Sequence, residues 1–106
     1  MFARVTHARY PPEQHAAGMR IVLDDLLPAL RVAPGYRGCL LLADGNPGSC
    51  LALVLWETEE AADAAAAGDG VAAAYVKLAA GGLAIESRKI YEVVTNDEVR
   101  PRAQTA

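Results

Sequence analysis

The chain is poor in the residues from which most recognisable sites are built. Its 106 residues hold one Trp, one Phe, two His and two Cys. Two cysteines are too few for a disulfide framework or a structural zinc site, and their spacing suits no metal. They fit thiols in a reducing, cytoplasmic setting. No apolar run of about 18 residues escapes charges or breakers, so no membrane span is expected. The first residues, Met1 to His7, lack a basic start followed by a long apolar stretch, so no signal peptide is expected. No basic run and no RNA-type aromatic motif accompany the net charge of −3, so nucleic acid is not an expected partner. Asp24-Asp25 and Glu57, Glu59 and Glu60 lack metal-ligand company. They read as a solvated face and as charge at a helix start, and neither a metal nor a cofactor is expected.

What the chain has in plenty is aliphatic surface, at 53% hydrophobic residues. A single domain of this length buries roughly 60–65% of its unfolded surface. The stretch from Tyr36 to Trp56 concentrates the excess. Tyr36 to Leu42 and Cys50 to Trp56 read as the arms of a β-hairpin around Ala43-Asp44-Gly45-Asn46-Pro47-Gly48-Ser49, a loop full of turn formers. A half-solvated strand alternates apolar and polar residues. Here Cys50, Ala52, Val54 and Trp56 occupy one face and Leu51, Leu53 and Leu55 the other. The first arm repeats the pattern, with Leu40 and Leu42 on one face and Cys39 and Leu41 on the other. Such a sheet needs two covers, and a chain this short supplies one layer of helices. A second copy of the chain is the expected second cover. If Leu42 faces Pro47 across the hairpin, Cys39 faces Cys50 within disulfide reach. Neither cysteine has a helix N-terminus or a basic neighbour to activate it as a nucleophile.

The other elements follow in order. Strand 1 spans Phe2 to Arg9 and ends at Pro11-Pro12. Helix 1 runs from Pro12 to Ala33, with Met19, Val22, Leu23, Leu26, Leu27 and Leu30 as one apolar stripe. Pro28 should kink it, and Pro34-Gly35 stops it. Helix 2 starts at Thr58 as N-cap, breaks at Gly68-Asp69-Gly70, restarts from Val71 to Ala80 and stops at Gly81-Gly82. Strand 4 covers Ala84 to Val94, and residues 95–106 form a polar tail beyond a single domain of residues 1–94. The order β-α-β-β-α-β is the ferredoxin-like split βαβ pattern of the α+β class. Right-handed crossovers give an antiparallel sheet in the order 4-1-3-2, with both helices on one face.

Within this frame the segments Leu27-Pro28-Ala29-Leu30-Arg31, Pro34-Gly35-Tyr36-Arg37-Gly38 and Leu53-Val54-Leu55-Trp56-Glu57-Thr58-Glu59-Glu60-Ala61 resemble the dimeric α/β-barrel family, of the antibiotic biosynthesis monooxygenase type. The likeness spans residues 1–94. It implies two protomers packed sheet on sheet into a barrel, the second cover argued from the hairpin. The family is functionally mixed: it holds cofactor-independent oxygenases of polycyclic phenols, haem degraders, isomerases and cyclases. In the polyketide oxygenases an Asn lies four residues before the matching Trp and a Tyr six residues after it; here those positions are Ala52 and Ala62. The haem degraders' second Trp and ligand His correspond to Ala65 and Tyr75, which disfavours haem.

The candidate site residues each have two readings. Trp56 is a wall that stacks on a flat ligand or a core residue closing the sheet against helix 2. Tyr75 offers a hydroxyl to a ligand, or as an acid, or it is core with its tip in water. Tyr36 is a pocket residue or barrel-interface packing. His7 is a general base, able with Arg4 to hold an anion, or a hydrogen-bonded strand histidine. Arg4 and Thr6 share a strand face and line a polar pocket floor or meet a partner; Glu86 and Arg88 of strand 4 are placed to pair with them. His15 is expected in solvent. Two functions compete: cofactor-independent oxidation of an aromatic, polyketide-like molecule held between Trp56 and Tyr75, with His7 or Arg4 favouring its phenolate, and a non-catalytic small-molecule-binding or structural homodimer.

Overall fold

A computed structural model describes residues 1–97. The element order is β1 (Phe2–Arg9), a 3-10 turn (Pro12–Gln14), α1 (His15–Ile21), a π turn (Val22–Leu26), α2 (Leu27–Arg31), β2 (Tyr36–Leu42), β3 (Ser49–Trp56), α3 (Glu59–Ala66), α4 (Asp69–Ala80) and β4 (Ala84–Glu92). The four strands form one antiparallel sheet in the order β2-β3-β1-β4, the ferredoxin-like arrangement expected from the sequence. The tail expected over residues 95–106 lies mostly outside the described residues. Among the described residues no helix is long and apolar enough to cross a membrane.

Each departure from the expected elements has a local cause. The first helix is interrupted rather than gently kinked. Pro28 has no N–H, and its ring crowds the carbonyl four residues earlier. The chain answers with the π turn just upstream, where the Leu27 N–H bonds the Val22 carbonyl, five residues back. That wider turn changes the phase of the apolar stripe. Val22, Leu26 and Leu30 pack inward, whereas Leu23 is turned out and is 53% exposed. The helix ends at Arg31 rather than Ala33, and Gly35 reverses the chain at φ +83°. Its carbonyl accepts the Glu57 N–H at 2.8 Å, which ties the start of β2 to the end of β3. The second helix splits at Gly68 as expected, although its second half begins at Asp69 rather than Val71. Thr58 caps α3 by accepting the Ala61 N–H at 3.0 Å.

The hairpin register corrects one expectation. Leu42 pairs with Leu51, not with Pro47, so Cys39 lies opposite Val54. Cys50 is four residues further along β3, about 13 Å at the usual rise per residue, well outside disulfide geometry. Both cysteines are free, and burial pushes both thiols above their ordinary pKa.

Both sheet faces are apolar. The helices cover one of them, with a core of Leu26, Leu30, Trp56, Val71, Ala74 and Leu78. The opposite face carries three layers: Leu42, Leu51 and His7; Leu40, Leu53 and Val5; Gly38, Leu55 and Ala3. Among the described residues no helix lies over it, and Leu40 is 56% exposed. The loop before β3 closes by a tight approach: Gly48 has φ +83°, and its carbonyl accepts the Tyr10 N–H at 2.9 Å. A Cβ there would run into the Tyr10 backbone carbonyl. Gly48→Ala is therefore expected to destabilise the fold by about 2–3 kcal/mol, read as a lowered urea midpoint; an unchanged midpoint would contradict this account of the loop.

Candidate functional site

The alternation of β1 sorts the candidate residues. Side chains two apart share a face, so Arg4 and Thr6 point to the helices, while Val5 and His7 point to the uncovered side. Across the sheet, Ala52, Val54 and Trp56 of β3 join Arg4 and Thr6. Tyr75 reaches the same layer from α4. Arg4, Thr6, Trp56 and Tyr75 line one internal cavity of about 50 Å³, completed mainly by Leu26, Leu30 and Val71. A second void of about 40 Å³ adjoins it, sharing Thr6, Ala52 and Tyr75 and reaching towards Tyr10 and Leu78. Volumes of this size hold a water or two rather than an aromatic ring.

Trp56 is 2% exposed, and its ring meets that of Tyr36 edge to face, with centroids 5.8 Å apart. Tyr36 packs against the core beneath the helices, and burial raises its hydroxyl pKa. Tyr36 thus backs Trp56 and does not line the cavity. Tyr36 pairs with Trp56, which puts both rings on the helix side of the sheet. Tyr75 is overlaid by the Arg88 guanidinium, 5.0 Å from the ring centroid. Arg88 pairs with Thr6 in register, as expected. Glu86 does not join this group.

His7 stands apart from the cavity. It was expected to act with Arg4, but the two are three positions apart on β1, and an odd spacing puts them on opposite faces. Its Nδ1 lies 3.3 Å from Glu86 Oε2 and its Nε2 3.4 Å from Ser49 Oγ. The same Glu86 carboxylate also pairs with Arg9. His7 borders a separate cleft of about 270 Å³, with Leu42, Asp44, Ser49 and Leu51, at the loop end of the uncovered face. His15 is exposed as expected, and its Nδ1 shares a hydrogen bond of 3.2 Å with the Tyr10 hydroxyl.

Two features escaped the sequence reading. Asp63 of α3 receives the Arg4 guanidinium at 2.7 Å, a contact across 59 residues that no local pattern announces. Between α3 and the end of α2 runs an open, mostly apolar groove of about 720 Å³, bounded by Val32, Pro34, Gly35, Ala61, Ala64 and Gly70. The alanine-rich composition of α3 was its one visible sign. The burial of Trp56 generates a test. Trp56→Ala should cost about 3–5 kcal/mol of stability in urea denaturation, the toll of emptying a packed aromatic site. A loss below about 1 kcal/mol would mean that Trp56 is a loosely held pocket wall instead of core.

The chain matches no protein-family model and no curated protein sequence. Solved structures do match it. A protein of Deinococcus radiodurans, described provisionally as an antibiotic biosynthesis monooxygenase, aligns at a TM-score of 0.79 and 20% identity over 95% of this chain and 100% of that one. A similarly described protein of Chloroflexus aurantiacus aligns at 0.75 and 16% over 93% of this chain and 98% of that one. SnoaB, a cofactor-independent oxygenase from Streptomyces nogalater, aligns at 0.71 and 16% over 90% of this chain and 94% of that one. Matches over nearly the whole of both chains show that this protein has the fold of the antibiotic biosynthesis monooxygenase structures.

Proposed function

We propose that the protein is a homodimeric, cytoplasmic small-molecule oxygenase of this structural type, which takes a flat aromatic ligand between sheet and helices and oxidises it without a cofactor. The observation that carries this reading is the convergence of Trp56, Tyr75, Thr6 and Arg4 on one cavity, in a fold shared with a cofactor-independent oxygenase. Such chemistry asks little of the protein. An electron-rich phenolic ring is itself the reductant of dioxygen, so the site must exclude water, hold the ring and stabilise its anion. Trp56 and Tyr75 supply the apolar walls, and the Tyr75 hydroxyl and Arg4 are the polar groups that face the ligand. His7 has no part in this site, since it lies on the other side of the sheet. The leucine-bearing sheet face, which no helix among the described residues covers, supports the dimer.

A second reading is favoured by two specific observations. The cavity measures about 50 Å³, and Ala52 and Ala62 offer no polar group where the oxygenases of this type carry Asn and Tyr. On that reading the protein is a binding or structural homodimer of the same fold. Oxygen uptake with a panel of anthrone-like phenols separates the two. The oxygenase reading expects consumption above blank that Tyr75→Phe reduces at least about tenfold. Consumption at the blank rate across the panel, with those phenols bound, would establish the second.

A further inference from the structure

We infer that the site selects ligands bearing a permanent anionic group, above all an aromatic carboxylate, and that Asp63 is a built-in stand-in for that group, latching α3 over the cavity until the ligand displaces it. The inference rests on the ligand site proposed above and deepens it.

The charge layout points to the ligand class. Among the described residues that line the cavity, Arg4 is the one charged side chain. It is buried on most of its length, at 21% exposure, and reaches the surface only to meet Asp63, which is 68% exposed. The second cation nearby, Arg88, lies over the Tyr75 ring that forms the opposite wall. A neutral ring entering here leaves the guanidinium where it is. A ring with a carboxylate replaces one oxygen acid by another on the same donors, and a guanidinium is the group best matched to that exchange.

The layout of α3 points to the latch. Ala66 borders the cavity from this helix, on the same rim as Arg4. The helix is eight residues long and buries only Ala62 and Ala65, so it holds to the sheet through small side chains. Its ends are Thr58, a capping residue in extended conformation, and Gly68, where the chain turns into α4. Behind it lies the open groove of about 720 Å³. The start of α3 is held where Ala61 packs against Gly35, but Ala64 and Gly68 face the groove, so the C-terminal half of the helix has room to swing outward. The Arg4–Asp63 pair is the polar tie that holds it in. The closed cavity is too small for a ring system, so entry requires that movement, and the same anion that releases the tie then occupies Arg4.

Isothermal titration calorimetry on the intact protein, with 2-naphthoate, 2-naphthol and 2-naphthylmethylammonium at neutral pH, tests this. The wild type should bind the carboxylate at least about tenfold more tightly than the alcohol, and the ammonium more weakly than either. Asp63→Asn, an exposed and structurally mild change, should tighten naphthoate about three- to tenfold. Arg4→Met also removes the tie but leaves no cation, so naphthol should bind at least as well as to wild type while the carboxylate preference falls below about twofold. Equal affinity of the wild type for naphthoate and naphthol would overturn the anion class and leave the ligand site standing. Weaker naphthoate binding to Asp63→Asn would overturn the latch. Binding of no naphthyl probe to any variant would sink the ligand site itself, and this inference with it.

Discussion

A β-sheet that is apolar on both faces has to be covered twice, and the remainder of this structure follows from that requirement. The helices roof one face with Leu26, Leu30, Val71 and Leu78 over Trp56. Their attachment uses up the helical part of the chain. Among the described residues, none roofs the three layers centred on Leu51, Leu53 and Leu55. Isolated exposed leucines are ordinary on a protein surface, but five of them in register on two paired strands, with Val5 and Ala3 beside them, are not. A second copy is the economical cover, because a two-fold pairing places the same surface on itself.

The covered face owes its cavity to two irregularities. The π turn ahead of Pro28 re-phases the first helix, so that Val22 and Leu26 bound the space under it while Leu23 turns away. The break at Gly68 divides the second helix into a lightly packed half and a well-buried half. The buried half, α4, carries Tyr75 and holds the wall still. The light half, α3, is fastened by the Thr58 cap and by Arg4. Trp56 and Tyr75 thus belong to the well-packed part of the covered face, beside an α3 that buries only alanines. The light hold on α3 arises from alanine content and one long-range ion pair.

Much of the fold was legible because its signals are local. Alternation in the hairpin, the punctuation at Pro34-Gly35 and Gly81-Gly82, and Thr58 before two glutamates each act over a few residues. The strand order followed from handedness and connection rules alone. What was not legible depends on register or on distance. The hairpin pairing differs by four residues from the one that would join Cys39 to Cys50, because the length of the loop decides it rather than the strands. The polar character of β1 was visible, yet its division was misjudged for His7, which alternation separates from Arg4. Asp63 as the partner of Arg4 joins β1 to α3 across 59 residues. Leu23 looked like core on an ideal helix and ceased to be core once a wider turn intervened.

The central claim is that the leucine-rich face is an interface between two copies. Sedimentation velocity of the intact protein at about 1 µM, beside a Leu53→Lys variant, tests it most directly. The account predicts a particle of twice the chain mass for the wild type, and a monomeric or unfolded species once a charge is set in the middle of that face. A compact, stable monomer of the wild type at this concentration would contradict it.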